Sequence, residues 1–219
     1  MQYDIITIFP QILDSYFNES ILKRAQAAKK IAIKTHDLRA YTTDKHHKVD
    51  DTPYGGGPGM IFKIEPLYKC LKAIESASSR KRKRKSKVFL MDPAGQQFDQ
   101  KMAASLTKLD QIILICGRYE GVDARVDKLI DGKICIGPYV LSGGELPAAI
   151  IVEAVSRLLP GVLGKMESLE YETFNGEQSD VVEHPQYTKP AVFNKWPVPK
   201  ILLSGNHAEI DKWRKSKKK

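Results

Sequence analysis

The sequence predicts an α/β protein: a mostly parallel sheet with helices on both faces. Three observations carry this. Short apolar runs of strand length recur through the first 140 or so residues, segments of helical periodicity separate them, and glycine-rich turns directly follow two of the runs. A continuous apolar run without alternation suits a strand buried on both faces, and such strands need a covering layer on each side.

The elements follow in order. "YDIITIF" (3–9) reads as the first strand; Asp4 inside its apolar run and the lack of a basic leader argue against a signal peptide. "NESILKRAQAAKK" (18–30) is a helix, with Asn18 as its cap and Ile21, Leu22 and Ala25 on one face. "IAIKTH" (31–36), "KVFLMD" (87–92), "QIILIC" (111–116) and "GKICIG" (132–137) are further strands. Helical spacing marks "KIEPLYKCLKAIESA" (63–77), "FDQKMAASLTKL" (98–109) and the longest pattern, "GELPAAIIVEAVSRLLPG" (144–161), which stops at Pro160-Gly161. Residues 165–190 are polar, with Gly176, Pro185, Pro190 and no sustained period. They read as a linker, and so long a stretch is usually functional or disordered. One more helix lies in "GNHAEIDKWRKSKK" (205–218). The expected organisation is therefore an α/β domain over 1–164, a flexible linker over 165–190 and a short basic extension over 191–219.

Composition narrows the function. The 219 residues are 42% hydrophobic, enough for a real core, and no apolar run approaches the roughly 18 residues of a membrane span. Cys70, Cys116 and Cys135 are odd in number and lack C-x-x-C spacing. They read as reduced, buried thiols of a cytoplasmic protein, with no metal site. The net charge of +9 is concentrated: "RKRKRKSK" (80–87) carries +7 and "DKWRKSKKK" (211–219) carries +5, leaving −3 for all the rest. Two such patches suit the phosphate backbone of a nucleic acid, although a solvated linker and tail would look the same.

Three glycine-rich turns are the candidates for chemistry. "VDDTPYGGGPGM" (49–60) has four glycines and two prolines between Pro53 and Gly59; "CGRYEGVDARV" (116–126) and "IGPYVLSGGELP" (136–147) each follow a strand. In open α/β sheets ligands bind beyond the carboxyl ends of strands, so the last two would wall one pocket. Neither is G-x-G-x-x-G, and no Gly-Lys-Ser/Thr follows any of them, which disfavours a generic nucleotide fold. On the residues alone, tight turns demanded by topology are an equal reading.

Together, "HHKVDDTPYGGGPGM", "ICGRYEGVDARV", "IGPYVLSGGELPAAIIVEAVSRLLPGVLG" and "VPKILLSGNHAEIDKWR" resemble, in order, the bacterial tRNA (guanine-1)-methyltransferase family of the knotted SPOUT class. The resemblance runs from Met1 to about Arg214. It implies a C-terminal trefoil knot in the α/β domain, an obligate homodimer, S-adenosyl-L-methionine as methyl donor, and tRNA as substrate. The target implied is N1 of the guanosine immediately 3′ of the anticodon. A knot is not readable from pattern, because chain connections almost never thread loops.

The resemblance also assigns roles. The donor would rest on Leu90 and Pro93, then on Gly117, Tyr119, Glu120 and Gly121. It would continue along Ile136, Gly137, Tyr139, Val140, Leu141, Gly143 and Gly144. Asp50, Asp51 and Gly59 would belong to a loop over its mouth that orders on binding. Arg157 would stabilise charge on the guanine carbonyl oxygen. A carboxylate would act as general base on the N1 proton: Glu172 in "EYETFNG", where the family has aspartate, with Asp180 as the fallback. The extra methylene moves the oxygens by roughly an ångström, a displacement that can cost about a hundredfold in rate. The family's Asp-Cys-Pro-His-Tyr-Thr-Arg-Pro appears here as "EHPQYTKP" (183–190), Pro138 replaces a common acid, and the helical extension is short beside the family's. Two other readings stand: a related SPOUT enzyme with a different RNA target, and a tRNA-binding protein with weak or lost turnover. The need for a divalent ion such as magnesium is not readable.

Overall fold

Five strands form one sheet in which every pairing is parallel: β1 (Gln2–Thr7), β2 (Ala32–Asp37), β5 (Ser86–Gln97), β6 (Gln111–Cys116) and β7 (Gly132–Cys135), in the order β2-β1-β6-β5-β7. These come from a computed structural model that describes residues 1–79, 84–164, 173–174 and 184–217. The chain divides into two compact units, 1–164 and 165–219. The fold class expected from the sequence is the one observed, an α/β unit with a parallel sheet.

The central strand explains why the sheet is covered twice. All six residues of β6 are buried, and successive side chains point to opposite faces. Ile112, Leu114 and Cys116 enter a core shared with α1 (Asp14–Phe17), α2 (Ser20–Ala27), α4 (Gln100–Leu106) and α5 (Glu145–Ser156). Ile113 and Ile115 enter a second core with α3 (Ile64–Ser79), through Leu67, Cys70, Leu71 and Ile74, and with Val49 and Phe62. Each fully buried isoleucine contributes about 1.5–3 kcal/mol. A strand this apolar has no solvent face to offer, so layers on both sides are required.

Three local details differ from the expectation. Asn18 does not cap α2; it closes α1, donating its N–H to Asp14, and the cap of α2 is Glu19. The four residues of α1 lie just before the segment in which the first helix was expected, so Asn18 falls between two helices. α5 ends at Ser156, and residues 157–161 are turns, because the chain must leave the core before Pro160. Finally, β5 runs on through Pro93 to Gln97, pairing with β7 in two stretches on either side of a break between Met91 and Gln96. Asp92 and Pro93 sit on that bulge, at the end of the sheet where the glycine turns emerge.

Two further strands, β3 (Asp50–Asp51) and β4 (Ile61–Phe62), pair antiparallel, so that "DTPYGGGPG" is the tip of a hairpin. In the second unit, β8 (Val192–Phe193) and β9 (Trp196–Pro197) form a hairpin, and α6 (His207–Lys217) follows. Trp213 on α6 lies 6.3 Å from the His184 ring and 6.4 Å from that of Tyr187. Among the described residues no helix is long and apolar enough to cross a membrane.

Candidate active site

The carboxyl ends of β5, β6 and β7 and the turns leaving them enclose a cavity of about 310 Å³. Leu90 and Pro93 come from β5, the turn after β6 contributes Gly117 to Val122, and the turn after β7 contributes most residues from Ile136 to Gly144. The two turns are bonded to each other: Gly144 donates its N–H to the Gly117 carbonyl at 3.0 Å, and Arg118 bridges Gly143. That approach requires glycine, since a Cβ on Gly144 would fall 2.7 Å from the Cys116 Cα.

A buried ion pair fixes the junction. Glu145, the first residue of α5, is 1% exposed. Its carboxylate accepts from Arg118 Nε at 3.2 and 3.3 Å, pairs with Nη2 at 3.1 Å, and accepts from Thr7 Oγ1 at 2.7 Å. The Arg118 guanidinium also lies over the Phe9 ring, 4.6 Å from its centre. Burial pushes the thiol of neighbouring Cys116 well above its usual range, and the charge of Glu145 adds to this, so it is a packing group and not a nucleophile. Among the cavity's charged residues, Asp92 lies 3.8 Å from Lys133, while Glu120 has no cationic partner among the described residues.

The hairpin of β3 and β4 is stitched to the first turn. Glu120 donates its N–H to the Met60 carbonyl, Phe62 to that of Gly121, and Asp123 to that of Phe62, each at 3.0 Å. The Phe62 and Tyr119 rings meet edge to face at 5.9 Å. Gly59, at φ +79°, lies against Glu120 so closely that a Cβ would collide with its side chain. At the tip, by contrast, Gly55 and Gly56 have nothing nearby and Tyr54 is fully exposed. The base of the loop is clamped and the tip is not.

The cavity wall includes all thirteen residues expected around the donor, from Leu90 to Gly144. Gly59 touches that wall, but Asp50 and Asp51 do not line the cavity; Asp51 instead lies 3.8 Å from Lys63 Nζ. Arg157 is at the other end of α5 from Gly144, about 20 Å along the helix axis, and is not in the wall. Glu172 and Asp180 lie outside the described residues. Sequence reasoning missed Asp92, Arg118 and Glu145. The only signal was position: Arg118 and Glu145 fall inside the quoted glycine motifs, and Asp92 ends the strand run "KVFLMD". Among the described residues no cluster of three His, Cys, Asp or Glu side chains would hold a metal ion.

Against known proteins, a family profile described as "tRNA (Guanine-1)-methyltransferase TrmD" matches residues 1–219. The chain belongs to this family. A tRNA (guanine-N(1)-)-methyltransferase from Dictyoglomus turgidum is 50% identical over 215 residues, which cover 98% of this chain and 84% of that protein. One from Chloroflexus aggregans is 48% identical over 219 residues, covering 100% and 83%. The crystal structure of the tRNA (m1G37) methyltransferase from Aquifex aeolicus matches with a TM-score of 0.80 at 37% identity, covering 97% of this chain and 87% of that one. The tRNA (guanine-1)-methyltransferase family thus spans both units of the chain, and the cavity with its two joined turns is this member's candidate active site.

Proposed function

We propose that this protein transfers a methyl group from S-adenosyl-L-methionine to N1 of the guanosine immediately 3′ of the anticodon in tRNA. The observation that carries the reading is the pair of glycine turns bonded edge to edge around one cavity, in a chain whose relatives are named tRNA (guanine-N(1)-)-methyltransferases. The residues present fit the donor: Leu90, Ile136, Val140 and Leu141 offer apolar surface for adenine, and Glu120 offers a cation a carboxylate that has no cationic partner among the described residues. The likeness to the Aquifex enzyme supports carrying over the trefoil knot as well.

When bound, the donor supplies an electrophilic methyl on a sulfonium. The protein's part is to align it and to make N1 nucleophilic. Glu172 would take the N1 proton, leaving the nitrogen lone pair free to accept the methyl, and Arg157 would offset charge growing on the guanine carbonyl oxygen. With Arg157 a helix length from the cavity of its own copy, the reading calls for a homodimer that apposes the end of α5 to its partner's cavity. The exposed apolar side chains Leu146 and Ile150, one turn apart on α5, support such an assembly. The basic run also has a place: Arg84 and Lys85 precede β5, at the opposite end of the sheet from the cavity and about 15 Å from it. They would grip phosphates away from the reacting base.

The test is incubation with labelled donor and a tRNA bearing guanosine at that position, followed by digestion to nucleosides. N1-methylguanosine is expected, and replacing that guanosine by adenosine should abolish it. Donor binding without any methyl reaching tRNA would leave the reading without support.

A further inference from the structure

We infer that Glu145 sets the charge of the cavity: by cancelling Arg118 it lets the site prefer a sulfonium ligand over the neutral thioether left after transfer. This rests on the donor proposed above. Arg118 is the one cationic side chain among the described residues of the wall, which also holds Asp92 and Glu120. Glu145 is not in the wall. It stands behind it, almost wholly buried, with two of the guanidinium nitrogens at 3.1–3.3 Å.

Stability is a weak reason to keep such a pair, because desolvating two charges offsets most of their attraction and apolar replacements often do as well. The surroundings instead hold the pair rigid. Thr7 Oγ1 donates to the carboxylate while accepting from the Phe9 N–H at 3.0 Å, and the Phe9 ring packs on the guanidinium. In a cavity of this size no bound sulfonium is remote from Arg118. Uncancelled, the guanidinium would repel it across a poorly screened gap. Transfer converts the cation to a neutral thioether, so a site whose net charge comes from its carboxylates holds the reactant more strongly than the product. Glu145 is a positioning residue whose effect on the ligand acts through Arg118.

The experiment is calorimetric titration of wild type, Glu145→Gln, Arg118→Gln and the double variant with S-adenosylmethionine and with S-adenosylhomocysteine. The readout is the ratio of the two dissociation constants, donor over product. Glu145→Gln leaves a bare cation and should raise that ratio about tenfold; Arg118→Gln, at pH 8, leaves a bare carboxylate and should lower it by a similar factor. The neutral double variant should return it to the wild-type value. Opposite signs keep the test decisive if one single variant fails to fold. Parallel weakening of both ligands, or an unmoved ratio, would make the pair mere scaffold and overturn the inference. Wild-type protein that binds neither ligand would overturn the proposed function, and this inference with it.

Discussion

At Asp4, inside the apolar run that opens the chain, a carboxylate only 1% exposed stays charged. Burial, the largest single influence, works to raise its pKa. Hydrogen bonds from His36 Nε2 at 2.7 Å, Gln111 Nε2 at 2.7 Å and Gln2 Nε2 at 2.8 Å, with the attraction of His36, outweigh it and leave the pKa below the usual carboxylate value. The linkage follows in sign. A group whose folded pKa is depressed contributes stability that is fully present above its unfolded pKa, near 4, and lost as pH falls through the folded value. Asp4→Asn should therefore cost about 2 kcal/mol at pH 7, and the gap from wild type should narrow in urea titrations at pH 3. An equal gap at both pH values would show that the negative charge plays no part.

The start of α5 is an element-scale constraint. Gly144 has an ordinary φ of −83°, so glycine is needed there for space alone: a methyl would meet the Cys116 Cα and the Met91 Cβ, at 2.7 and 2.9 Å. Gly144→Ala must push the end of β6 from α5, with an expected loss of about 1–3 kcal/mol and weaker donor binding. Gly164→Ala, with open space around it, should stay within about 0.5 kcal/mol of wild type in the same chemical denaturation. Elements of this kind differ in how far the sequence reveals them. β6 was legible to the residue because five of its six consecutive buried positions, Ile112 to Cys116, carry apolar side chains, and the sixth, Gln111, is hydrogen-bonded to Asp4. α1 was not, since four residues cannot display a helical period, and β5 was expected to end at Asp92, where the apolar run stops, whereas it continues through a bulge to Gln97. Eleven of the thirteen cavity residues came from whole motifs, and Leu90 and Pro93 from the end of a strand run; periodicity alone left the two turns open to a purely topological reading. Arg118 and Glu145 are 27 residues apart, and nothing in their spacing shows that a helix start and a turn will meet.

Across the whole molecule the parallel sheet has two unlike ends. The cavity occupies the carboxyl ends of the strands, while the opposite end carries Arg84, Lys85 and Lys30, whose ammonium stem approaches Gly161 just after α5. Arg157 closes α5 at that second end, and an arginine side chain cannot span the length of its own helix. If Arg157 serves the reaction, each site must draw its cavity from one copy and its guanidinium from another, which a two-fold symmetric dimer does twice over. Mixing inactive variants tests this directly. Arg157→Ala damages one contribution and Glu120→Gln the other, and each homodimer alone should show little turnover. Co-expressed in equal amounts they should form about half heterodimers, each with one site built from two unaltered contributions, and recover roughly a quarter of wild-type activity. Sites complete within single copies would recover nothing, because every cavity would still face one defective partner of its own.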